Sequence, residues 1–168
     1  NEMASDIGEP VYRESRGQDL FRRSLYTYFK RTIPPPDMMT MDAAERTVCT
    51  VKRQATSTPL QSLVVLNSPL FNEAARQLTT TLFREGQQGE ALLDLAFERV
   101  LSRKPGAAEI RLLAGMLHEH QDNFAGNPDA ALAYLSVGTT GLHSETDAGK
   151  LAAASLVVSA IFNLDEAQ

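Results

Sequence analysis

The chain has 168 residues, 22% of them charged, a formal net charge of -5 and no tryptophan. That is enough for one domain with a real core, too charged and too apolar together for a disordered segment, and of the wrong sign for general attraction to nucleic acid or anionic membrane. The single cysteine excludes an internal disulfide, and no apolar run reaches the roughly 20 residues that cross a bilayer, so direct membrane insertion is not expected.

Residues 1–17 are polar and carry Gly8, Pro10 and Gly17, which reads as an arm or the end of a linker. Residues 18–168 read as a single helical domain. The opening, NEMASDIGEPVYRES, has no basic n-region or apolar h-region and begins on Asn1, as an excised piece of a longer chain would. A first helix is expected from about Leu20 to Arg31, with Leu20, Phe21, Leu25, Tyr28 and Phe29 on its apolar face.

Pro34, Pro35 and Pro36 end that helix and start a stiff extended segment. Met38, Met39 and Met41 suit gap-filling over a helix face. Asp42 and Glu45 have capping-box spacing, which places a short helical turn over Ala43 to Cys49; the β-branched run TVCTV offers a brief strand instead. The coil from Ile33 to Ser57 is long for a compact domain, which points to a hidden short helix or a recognition surface within it.

Thr58, Pro59 and Gln61 then form a strong helix start: hydroxyl at the cap, proline at the first helical position, amide side chain at the third. The helix Pro59 to Leu66 is nearly all apolar and is expected to be buried. Ser68 and Pro69 repeat the pattern and open a helix to about Arg84, closed by Gly86. A helix from Gly89 to Leu101, a tight SRKPG connection, a helix from Ala107 to Phe124, one from Asp129 to Val137 after Asn127 and Pro128, a polar loop, and a last helix from Ala148 to Asn163 complete the chain. The alanines of the last helix permit close approach by a neighbour. The expectation is an all-α irregular bundle of about six or seven helices with a long ordered proline-rich coil packed across it.

The charge is uneven. Between Arg13 and Arg53 nine basic residues face five acids, an excess of +4 in an acidic protein. Arg46, Arg53, Lys52 and Arg23 are the candidate anion- or partner-binding residues. They fit an acidic protein surface or an anionic glycan; the same arginines also suit cross-linking of irregular coil to helix carboxylates and carbonyls. Asp42, Thr58, Pro59, Cys49 and Asp165 are assigned structural roles. Asp165 and Glu166, closing an apolar helix, are placed to pair with an arginine of the basic segment. Cys49 reads as a small buried hydrophobe and not a nucleophile, since no triad wording accompanies it. His118 and His120 are two apart and cannot share a helix face as a zinc pair. No cofactor or metal is implied, and no nucleic-acid motif is present.

The stretch RRSLYTYFKRTIPPPDMMTMDAAERTVCTVKRQATSTPLQSLVVLNSPLFNEAARQL closely resembles the domain family known as DUF1553 or PSD1, the C-terminal domain of large planctomycete proteins. The likeness rests on the proline run, the set Asp42, Arg46 and Cys49, the start Thr58-Pro59-Leu60-Gln61 and the Leu66-Asn67 step, with fainter echoes in FERVLSRKPGAAE and SAIFNLDE. Phe29, Met41 and Ala153 stand where the family has Trp, Phe and Trp. The resemblance implies a module that follows another domain, often with a cytochrome-c-like module further upstream, in a parent exported to the periplasm or cell surface. It assigns no activity and no catalytic residue. The expected function is a noncatalytic interaction or assembly domain whose partner is the preceding domain of the parent; the alternative is an accessory catalytic domain that completes a site with that domain, in polysaccharide metabolism. There is no CxxCH, so haem is not expected on this piece.

Overall fold

The computed structural model describes residues 19, 22, 24–30, 33–44, 48–52, 55–140 and 147–167. The expected arm and the side chains of Arg23, Arg46, Arg53, Glu45 and His143 lie outside them. Among the described residues the chain forms seven α-helices and no sheet: α1 (Pro36–Thr40), α2 (Pro59–Asn67), α3 (Pro69–Arg84), α4 (Gly89–Leu101), α5 (Ala107–Gly126), α6 (Pro128–Leu135) and α7 (Ala148–Phe162).

α7 is the hub, and its sequence dictates that place. A helix that is apolar on every side has no face to offer water and must sit inside. Leu151, Ala152, Ala153, Val157, Val158 and Ile161 are all buried, and α3, α4, α5 and α6 pack around it. Its small residues let the surrounding helices close in, and Ser155 satisfies its own hydroxyl by donating to Leu151 O at 2.7 Å. Asp147 caps its start, accepting from the amides of Gly149 and Lys150. The main core runs from Ala75 and Leu82 through Leu92, Leu93, Ala96 and Phe97 to Leu113, Leu117 and the α7 face; Ala131 and Leu135 of α6 close a second, smaller cluster against Leu151 and Ala152.

The punctuation of the chain has visible physical causes. Gly86 adopts φ +79, and the amides of Gly86 and Gln87 donate back to Phe83 O and Leu82 O, which ends α3 in a Schellman motif. Asn127 Oδ1 accepts from Ala130 N at the start of α6. Ser68 makes no side-chain cap bond, so Pro69, whose φ is already helical, starts α3 unaided.

Two expectations fail here and a third lies partly outside the described residues. The helix from Leu20 to Arg31 does not form over the described residues: Ser24–Tyr26 is a 3-10 turn and residues 27–29 are irregular. Leu25, Tyr26 and Tyr28 are exposed and Phe29 is half-buried, so little of the described apolar face is covered, and a short helix without broad tertiary support is marginal. The turn expected over Ala43 to Cys49 has its centre outside the described residues; before it, Pro36 serves as the first helical residue of α1, and Asp42 sits at φ +55. Residues 48–51, the described part of the alternative strand, are not in a strand.

Candidate functional site

The surface of the basic segment begins at a knot. Asp42 Oδ2 accepts from Thr56 N at 2.7 Å, from Thr56 Oγ1 at 2.7 Å and from Gln61 Nε2 at 3.2 Å. Gln61 is 3% exposed, and its other amide atom also works: Oε1 accepts from Thr58 N at 2.7 Å while Gln61 N donates to Thr58 Oγ1 at 3.3 Å, the reciprocal capping box at the start of α2. Proline at 59 leaves no helix-start amide to satisfy at that position. One buried amide side chain therefore joins the helix cap to the carboxylate that holds residues 42 and 56 together. Three bonds to an ionised oxygen offset the left-handed backbone of Asp42, a conformation in which a non-glycine residue persists only when its surroundings fix it.

Asp42, Thr56 and Gln61 thus form a neck; of the described residues between 42 and 56, Val48 to Lys52 and Ala55 are exposed, Val51 entirely so, while Ala43 and Ala44 are half-buried. Cys49 is therefore a free, exposed thiol, which corrects the buried reading. Beside the neck, α2 reverses the burial expected of it. Only Gln61 and Val65 are buried; at 3.6 residues per turn Leu60, Leu63 and Leu66 fall on the opposite face and are exposed at 57%, 56% and 46%, continued by Leu70 of α3.

The buried charges lie elsewhere. On α3, Glu73 and Arg76 are 3% and 4% exposed, and their partners come from the turn after α6. Glu73 accepts from Thr139 N at 3.0 Å, from Thr140 N at 2.9 Å and from the Thr140 hydroxyl. Arg76 donates to Leu135 O at 2.6 Å and to Thr140 O and Oγ1, both at 2.9 Å, and Gln77 donates to the same hydroxyl at 2.7 Å. The Glu73 and Arg76 charges are 3.7 Å apart. Burial pushes the Glu73 carboxyl upward, but the Thr140 hydroxyl, the two amides and the Arg76 charge outweigh it and hold the group below its ordinary range. Burial pushes the neighbouring Tyr134 phenol up to about 12 against the opposing Arg76 charge. Glu73 is thus held ionised and saturated with donors, which suits a clasp. Sequence reading missed this cluster: Glu73 and Arg76 look like a surface pair at i,i+3, and the one available signal was Gly138 ahead of two threonines.

A second clasp joins the two fainter family echoes. Arg103, in SRKPG, donates to Glu109 Oε1 and Oε2 at 2.8 and 3.0 Å and to Glu166 Oε2 and Oε1 at 2.8 and 3.0 Å, with its guanidinium 4.8 Å from the centre of the buried Phe97 ring. Glu109 also accepts from Gly106 N at 2.6 Å. Arg103 holds the Glu109 carboxyl down at about 2 and lowers that of Glu166; the two carboxylates in turn raise the Arg103 pKa. Of the two acids expected to anchor the C-terminus, Glu166 makes the ion pair, and its arginine belongs to the α4–α5 connection and not to the basic segment. A mostly apolar pocket of about 110 Å³ lies between Phe83, Leu92, Leu117 and Ala154, with Gln88, Gln121 and Lys150 at its edge. No group of His, Cys, Asp and Glu able to hold a metal occurs among the described residues, and none of their helices is long and apolar enough to cross a membrane.

The model of the PSD1 family, described as "Protein of unknown function (DUF1553)", matches residues 2–117. The chain belongs to this family. No curated protein and no solved structure matches it. The matched part of this PSD1 chain contains the Asp42 knot, the exposed face of α2, the Glu73–Arg76 pair and Arg103, and ends inside α5.

Proposed function

We propose that this domain is a noncatalytic interaction and assembly module that docks on the preceding domain of a larger, exported parent chain. One observation carries the reading. Thirteen large apolar side chains are exposed among the described residues, and ten of them lie between Leu25 and Leu70. The excess is concentrated in one part of the sequence, and an exposed apolar face of this kind marks a contact surface. The center of that surface is the α2 face of Leu60, Leu63 and Leu66, which the Thr58–Gln61 box and the Asp42 knot hold rigid, so that little order is lost on docking.

The test is binding of this chain to a separately produced upstream domain of the parent, by calorimetry, with Leu63→Asp and Leu66→Asp combined. These positions face away from the core, so thermal stability should hold within about 0.5 kcal/mol while binding is lost. Wild-type affinity in the double variant defeats the reading.

A further inference from the structure

We propose that the cavity among α3, α4, α5 and α7 binds a short-chain aliphatic carboxylate, with its hydrocarbon tail inside and its anionic head at the rim. The inference uses none of the α2 face and does not rest on the docking reading. The walls come from four helices: Phe83 near the end of α3, Leu92 near the start of α4, Leu117 on α5 and Ala154 on α7. Leu92, Leu117 and Ala154 are buried, so the space between them is apolar, and a small apolar cavity with a few polar groups at its mouth is the usual form of a small-molecule site. Size narrows the tail. The volume is about 110 Å³. A cavity of about 150 Å³ with comparable walls takes one benzene ring, so this one has room for about four carbons.

The rim selects the head. Lys150 is the one charged residue among the described residues that line the cavity, and no acid lines it. Its ammonium is 61% exposed and 3.6 Å from Asp147 Oδ2, beyond hydrogen-bond length, while Asp147 Oδ1 accepts from the amides of Gly149 and Lys150 at the start of α7. The cation is therefore loosely tied and can turn to a carboxylate at the mouth. Gln88 and Gln121 add amide groups to the same rim, and Gln88, at the cap position of α4, makes no side-chain bond to that helix. A cationic head would meet Lys150, and a sugar would leave its hydroxyls unmet against Phe83, Leu92 and Leu117. A bound acid touches all four helices at once and stabilises the domain by mass action.

The test is a heteronuclear NMR titration of the isotope-labelled whole chain with three probes: isovalerate, 3-methyl-1-butanol, which has the same tail without the charge, and acetate, which has the head without the tail. Isovalerate is expected to saturate and to shift the amides of Gly89, Leu117, Lys150 and Ala154. The alcohol should bind roughly two- to fivefold more weakly, as an exposed charge contact is lost, and acetate should not saturate over the same range. Lys150→Met, at an exposed position, should bring isovalerate to the affinity of the alcohol and leave the alcohol unchanged. Ala154→Leu, which fills the cavity, should abolish binding of both; where that variant does not fold, Lys150→Met carries the test. No saturation by isovalerate, shifts confined to helices that do not line the cavity, acetate or the alcohol binding as tightly as isovalerate, or undiminished isovalerate binding in Lys150→Met overturns the inference. Leu63→Asp with Leu66→Asp should leave isovalerate affinity unchanged, so the cavity site and the docking surface stand or fall separately.

Discussion

Gly138 is the position where the fold tolerates least. Its φ is +105, and a methyl group added there meets Glu73 Oε2 at 2.6 Å, Cδ at 2.9 Å and Cβ at 3.1 Å. Gly138→Ala therefore costs twice. An L-residue in that backbone conformation loses about 1–3 kcal/mol. The carboxylate must also withdraw, and it is held by the Thr139 and Thr140 amides, so at least one hydrogen bond to a charged, buried group is broken, worth about 1.5–3 kcal/mol. Together these cost about 2.5–6 kcal/mol, a large part of the 5–15 kcal/mol that holds a domain together. Urea denaturation followed by circular dichroism measures it directly.

A double-mutant cycle separates the two causes. Glu73→Ala with Arg76→Met removes the ion pair whole, leaves no stranded charge and takes Oε2 and Cδ away from Gly138. In that background Gly138→Ala should cost only the backbone part, about 1–3 kcal/mol. An equal cost in both backgrounds refutes the steric argument, and a cost below about 0.5 kcal/mol in the wild type refutes the clasp altogether.

Acid should unfold the protein through its paired carboxylates. Glu73, Glu109 and Glu166 all have folded-state pKa values below the ordinary 4.5, so the unfolded chain binds more protons and their contribution is present above about pH 4.5 and lost as pH falls toward about 2. The urea midpoint should drop through that window and drop less in Glu109→Gln; a flat profile contradicts the assignment. Glu166→Gln, or truncation after Leu164, should lower the thermal midpoint by freeing Arg103, and an unchanged midpoint in both removes the C-terminal anchor. Thr58→Ala should cost about 1 kcal/mol by opening the capping box at α2, measured by urea denaturation, against no change if Pro59 alone starts the helix. Cys49 should be alkylated by iodoacetamide in the native protein as fast as in a short peptide, and slow labelling would show the thiol to be covered.

The helices from Pro59 onward were legible because local chemistry marks them. Cap-plus-proline pairs at 58–59, 68–69 and 127–128, glycine at 86 and a fully apolar last helix are statements about neighbouring residues, and the structure places α2, α3, α6 and α7 at those marks. What was not legible depends on distance along the chain. Leu60, Leu63 and Leu66 look like core by composition, yet nothing in composition says whether a neighbour covers them. The 20–31 segment has an apolar stripe, but a stripe makes a helix only where another surface receives it. Glu73 and Arg76 have ordinary surface spacing, and their partners are 59 to 67 residues away.

Those distances also say how the domain is put together. The family match ends at residue 117, but two sets of charges inside it are completed from beyond it: Glu73 and Arg76 by Leu135, Thr139 and Thr140, and Arg103 by Glu166. Without those partners a carboxylate and a guanidinium on α3 stand next to the core with their donors and acceptors unmet, which costs several kcal/mol for each buried ion. The apolar argument runs the same way, because α7 fills the space among α3, α4 and α5 and its removal exposes Ala75, Leu82 and Phe97. The residues after 117 are therefore required by the matched segment and are not an appendage to it.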